Sequence, residues 1–178
     1  MTPASVVVDE ALKGKRIGTP YEKLDCQALV EQLLTDAGVS HPNWRGSNHM
    51  FRAAIANRYE LPVDRLTIPE GSFVFTLKHD GGEVARGYHD DIGNASHVGL
   101  YLRDGKVIHS TAGGVQWDVI TSYRWTHYGL CKLLSYDSHK HTEDEEPDAL
   151  KTMVQNLLTS VGDVERILNE MEEYLNET

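Results

Sequence analysis

The stretch GTPYEKLDCQALVEQLLTDAGV (residues 18–39) decides how the rest of the chain is read. Ala28, Leu29, Leu33, Leu34 and Ala37 recur at helical spacing, and Gly38 is a C-terminal stop. Gly18-Thr19-Pro20 is a breaker ahead of them, so the spacing predicts a helix over residues 25–37. Asp25 suits its N-cap, which places Cys26 in the first turn. A thiol attacks only as thiolate, and the unpaired amides and macrodipole of a helix N-terminus favour that state. Cys26 is therefore expected to react with alkylating agents below the pH an ordinary thiol requires. Taken alone, however, a free cysteine at a helix start is more often core than catalyst.

Outward from this helix the character changes twice. Upstream, residues 5–14 suit a short helix; downstream, a helical patch over residues 49–59 lies between loops carrying Pro42, Gly46, Pro62 and Pro69. Beyond Gly71, SFVFTLK (72–78), SHVGLYL (96–102), KVIHST (106–111) and YGLCKLL (128–134) read as short strands separated by turn signals. Helices followed by strands predict an α+β fold with an antiparallel sheet. Residues 137–147, DSHKHTEDEEP, read as an acidic linker between a domain over 1–136 and a helix over 148–178. In that helix Leu150, Val154, Leu157, Val161, Val164, Leu168, Met171 and Leu175 follow steps of four and three. Such a seam packs on the body or pairs with copies of itself, and its continuity favours a homo-oligomer through residues 150–175.

Charge and composition exclude several classes. The net charge is −10, and twelve of the 27 acidic residues lie from Asp137 onward, leaving a nearly neutral body. A concentrated basic footprint is missing, so nucleic acid is not an expected partner. No apolar run is long enough to span a membrane, and residues 1–10 lack the pattern of a signal peptide. The chain is thus expected to be cytoplasmic when made, reaching an outside target only after lysis or phage-type delivery. The two cysteines, Cys26 and Cys131, sit in different settings and read as free thiols, with Cys131 an inert one in an apolar strand.

A Cys–His pair needs an imidazole, and the chain has nine. His97 opens one predicted strand and His109 lies in the next, around a turn at Asp104-Gly105. A loop of even length sends the two side chains to opposite faces. A three-residue loop with a bulge puts both on one face, and Asp104-Gly105 suits that alternative. His97 is then placed to meet Cys26, and His109 to orient His97.

In order, GTPYEKLDCQALV, ASHVGLYL and KVIHST resemble the NlpC-type family of cysteine peptidases over roughly residues 5–135. The resemblance implies a papain-like fold, with the cysteine-bearing helix packed on an antiparallel sheet. It assigns Cys26 as nucleophile, His97 as general base and His109 as the residue orienting that base. Tyr21 and Asp25 match cleft residues, the aspartate meeting the free amine of a stem peptide, and Ser96 lines the same cleft. The implied activity is hydrolysis of the γ-D-glutamyl–diamino-acid bond of peptidoglycan or muropeptides, with no metal or cofactor. Two departures bear on substrate preference. Gln27-Ala28 replaces the usual small residue and glycine, and the segment between Tyr21 and Asp25 is short.

Three further readings complete the sequence. Trp44 in HPNWRGSN is assigned to the cleft rim, with core packing as the alternative; Trp117 and Trp125 are expected against the sheet. The histidines and aspartates of KHDGGEVARGYHDDIGN (78–94) lack tight ligand spacing and read as a solvated loop over the cleft. The rival functions are an amidase of the related CHAP type and a non-catalytic wall-binding or phage structural component.

Overall fold

A computed structural model describes residues 1–78, 90 and 92–136. The elements run β1 (Thr2–Pro3), α1 (Ala4–Leu12), α2 (Cys26–Asp36), α3 (Ser47–Ala53), β2 (Ile55–Glu60), a 3-10 turn (Arg65–Thr67), then β3 (Phe73–Lys78), β4 (Asn94–Tyr101), β5 (Lys106–Thr111), β6 (Gly114–Val119), β7 (His127–Cys131) and β8 (Leu134–Ser135). The acidic linker, the heptad helix and its self-association, and the loop over residues 79–89 lie outside the described residues.

Helix α2 forms for the reasons its sequence announces. Asp25 is extended and its side chain accepts from the Ala28 amide at 2.8 Å, capping the first turn. At the other end Gly38, at φ +75°, closes a Schellman motif. The Val39 amide donates to the Leu34 carbonyl at 2.8 Å, and the Gly38 amide to that of Thr35 at 2.9 Å. Cys26, Leu29, Val30, Leu33 and Leu34 are the buried stripe, and α2 lays them against β4 and β5.

The main sheet has six strands in the order β2-β7-β3-β4-β5-β6, all neighbours antiparallel. One core, containing Phe51, Phe73, Phe75, Val98, Leu100 and Ile108, joins the helices to the sheet. A smaller one gathers Ile68, Val74, Tyr101, Val107, Ile120 and Trp125. The alternation of Val98 and Leu100 into the first with Tyr101 into the second is what a strand buried on both faces requires. The parallel pair β1 and β8 ties the start of this unit to its end, Thr2 beside Leu134.

Mixed helix and antiparallel sheet is the predicted class, but three local expectations change. The helical patch over 49–59 ends at Ala53, and Ile55–Glu60 is a strand paired with β7. Its side chains after Ile55 are exposed, so they show no alternation of burial from which a strand could be read; the ladder partner is supplied by residues far along the chain. Strand β6, Gly114–Val119, is an addition to the expected strands. It carries Trp117 half-exposed on the sheet edge rather than packed on the sheet, whereas Trp125 is buried.

Candidate active site

Cys26 is the first residue of α2 and is buried. The segment before it is held on both sides. Gly18 and Thr19 exchange backbone hydrogen bonds with Val115 at 2.8 and 2.9 Å, and Ser110 Oγ donates to the Leu24 carbonyl at 2.6 Å. Gly114 permits this contact, because a Cβ there would stand 2.7 Å from the Thr19 oxygen. Tyr21 is thereby brought to the thiol, its hydroxyl 4.0 Å from Cys26 Sγ.

His97 owes its place to a bulge. Thr76 pairs with His97 but Leu77 pairs with Ala95, so Ser96 is the extra residue in β4. Helix α3 clamps the residue before the bulge. Asn48 Oδ1 accepts from the Ala95 amide at 2.8 Å, and Ser47 Oγ donates to its carbonyl at 2.6 Å. The β4–β5 ladder runs only from Tyr101–Val107 to Gly99–His109. Just beyond its end, the amide of Val98 turns to the sulfur of Cys26.

The hairpin linking the two histidines takes the three-residue form. Leu102 donates to the Lys106 carbonyl at 2.8 Å, enclosing residues 103–105, and both Asp104 and Gly105 have positive φ. His97 and His109 therefore share a face, with His97 Nε2 3.0 Å from His109 Nδ1. Among the described residues no hydrogen bond joins Cys26 to His97; the nitrogen of His97 left for a thiol is Nδ1. Tyr123 and Trp125 wall in the pair, the Trp125 indole stacking on His97 with ring centroids 5.3 Å apart. Gly99 makes room for that indole, since a Cβ would meet Trp125 at 2.9 Å.

Electrostatics depart from the expected activated thiolate. Burial pushes the Cys26 thiol up; the amides of Val98 and Gln27 and the Tyr21 hydroxyl pull it down, and the Asp25 carboxylate adds to the rise. Burial, then His109, lowers His97 to about 4. Burial also lowers His109, opposed by Asp118. The resting site is thus neutral thiol and neutral imidazole, because desolvation outweighs the hydrogen bonds to the sulfur. Burial and the neighbouring sulfur hold Tyr21 up at about 12, so its hydroxyl stays a donor.

The sequence model of the NlpC/P60 family matches residues 14–133. The chain belongs to this family. Among solved structures, the NlpC/P60 protein of Bacillus cereus is similar over 76% of this chain, at 23% identity and TM-score 0.52, and shares its fold. The match spans 42% of that protein's length. The peptidoglycan hydrolase RipB from Mycobacterium tuberculosis aligns over 75% of this chain and 67% of its own, at 18% identity and TM-score 0.49. The P60 domain of an antigen from M. avium subspecies paratuberculosis aligns over 75% and 98%, at 18% and 0.49. No curated protein matches.

Set in this NlpC/P60 chain, the residues named from sequence fall into two groups. Tyr21 meets Cys26 at the start of α2, His97 meets His109 on β4 and β5, and Asp25 caps the helix beside Cys26. Ser96 is exposed at the bulge and donates to the Thr76 carbonyl at 3.2 Å. Trp44 does not line a rim. It is 3% exposed within the main core, its ring stacked on His41 and its amide on Glu31, because the loop it anchors lies on α2. Gln27, the departure beside Cys26, is part of the same anchorage, its Oε1 accepting from the Gly46 amide at 3.2 Å. Tyr123, Trp125 and Asp118 are site neighbours the sequence reading missed. The alternation of VQWDV after Ala112-Gly113-Gly114 was the available signal for the strand bearing Asp118. Among the described residues no cluster of His, Cys, Asp or Glu could hold a metal, and no helix is long and apolar enough to cross a membrane. Cys131 is buried, and burial raises it to about 11.

Proposed function

We propose that the chain hydrolyses peptidoglycan stem peptides at the γ-D-glutamyl–diamino-acid bond through Cys26. The observation supporting this reading is the grouping of a thiol at a capped helix N-terminus, beside Val98, with the His97–His109 pair on the adjoining strands. In the acylation step His97 Nδ1 takes the thiol proton as Sγ bonds to the substrate carbonyl carbon. The first-turn amides of α2 stabilise the oxyanion. Collapse breaks the C–N bond, and His97 returns the proton to the leaving amine. Water, deprotonated by His97, then attacks the thioester, releasing the carboxylate product and restoring the thiol. Asp25 serves the stem-peptide amine and Tyr21 the cleft wall.

The test is incubation of the full chain and of Cys26→Ala with purified muropeptides, reading new termini by mass spectrometry. Cleavage after D-glutamate by the wild type alone is the expected result. Cleavage at the sugar-linked amide would move the chain to the amidase class. A product from both proteins, or from neither on any wall chemotype, would sink the Cys26 enzyme.

A further inference from the structure

The register of the sheet places a diagonal of three polar side chains on one face. Gly99 of β4 lies opposite His109, and Val107 of β5 opposite Asp118. His97 is two residues from Gly99, and His109 two from Val107, so His97, His109 and Asp118 share a face. Each is displaced by two residues from the last, a spacing long side chains bridge. The first link is the 3.0 Å contact of His97 Nε2 with His109 Nδ1. At the second, His109 Nε2 is wholly buried and makes no hydrogen bond in the described structure, while Asp118 Oδ2 stands 3.6 Å away. The other rings against His109, those of Tyr123 and Trp125, pack on it. The second oxygen of Asp118, Oδ1, is held by the Val119 amide at 2.8 Å and by the Ser122 hydroxyl, which aims Oδ2 inward.

We propose that Asp118 is a positioning residue whose carboxylate sets the tautomers of both imidazoles and so prepares His97 as a base. A carboxylate only accepts, so His109 facing it carries its proton on Nε2. A neutral His109 then has a bare Nδ1, which obliges His97 to donate from Nε2. A neutral His97 with its proton on Nε2 has a bare Nδ1, the nitrogen needed for the thiol proton. With the opposite choice, His109 would donate from Nδ1, and His97 would hold its proton on Nδ1, where it cannot act as a base. Burial keeps both imidazoles neutral near neutral pH, and the Ser122 hydrogen bond chiefly keeps the Asp118 carboxyl ionised there. Asp118 touches no reacting atom, and its role rests on the reading of His97 as the base.

The test joins a spectrum to kinetics on the full chain. Long-range proton–nitrogen correlation spectra of isotope-labelled histidine at neutral pH should show Nε2–H on both His97 and His109. Asp118→Ala should move both toward Nδ1–H or a mixture, and lower kcat on muropeptides by roughly 100-fold with KM little changed. Asp118→Asn, which keeps an acceptor oxygen, should fall between. Ser122→Ala, which frees Asp118 without removing it, should shift the same signals partially, and it serves if Asp118→Ala fails to fold. Wild type with Nδ1–H on His97, or folded variants with unchanged tautomers, would overturn the proposal. The expected tautomers, shifted in Asp118→Ala, in a protein without hydrolysis would support the setting of the tautomers by Asp118 and sink the peptidase reading instead.

Discussion

Cys26 and His97 are pulled apart by the same force. Burial disfavours the charged form of each, which raises a thiol and lowers an imidazole. The amides of Val98 and Gln27 and the Tyr21 hydroxyl act against this at Cys26 but are outweighed. In the proposed reaction, attack is therefore expected to coincide with proton transfer to His97 instead of starting from a standing ion pair. Alkylation of the native chain by iodoacetamide should accordingly rise at a pH above that of an ordinary thiol. An inflection well below that range would show that the dipole wins. Cys131, held up at about 11 and buried, should label only when the protein unfolds, so peptide mapping separates the two.

At the scale of elements, β4 is the part that makes the site. Its bulge at Ser96, clamped by α3, sets where His97 emerges, and the early end of its ladder with β5 frees the Val98 amide for the thiol. Gly99, two residues on, is small because the Trp125 indole and a Val107 methyl each stand 2.9 Å from where a Cβ would be. Gly99→Ala should therefore push Trp125 off His97, costing about 1–3 kcal/mol of stability through overpacking. Hydrolysis should fall at a temperature where the variant is still folded. Unchanged denaturant midpoint and activity would mean that Trp125 does not depend on this gap.

For the whole molecule, two buried neutral histidines make stability depend on pH. His97 titrates at about 4 when folded against an ordinary 6.5, so between these values the unfolded chain binds a proton the folded chain refuses. Stability is full above about 6.5 and falls as pH drops toward about 4, with His109 acting in the same direction. Over that whole span His97 alone accounts for roughly 3 kcal/mol at most. The thermal midpoint should decline across this window, and His97→Gln should flatten the decline. A wild-type midpoint constant across the window would rule out buried neutral imidazoles.

The capped helix of residues 26–36 and the strands built from branched and aromatic runs were legible along the chain. These depend on local rules: a carboxylate before a first turn, a glycine at a positive φ, apolar periodicity. The strings around Cys26, His97 and His109 also carried the family. Tertiary structure alone decided what spacing left open. The shared face of the histidines depended on the loop at Asp104-Gly105 closing over three residues. Strand β2 exists because β7 supplies its ladder, and Trp44 is core because its loop folds onto α2. Asp118 was invisible beside His109 until the register of β5 and β6 brought them onto one face. The sign of the shift at Cys26 was likewise decided in three dimensions, because desolvation is set by the residues packed around a group and not by its neighbours along the chain.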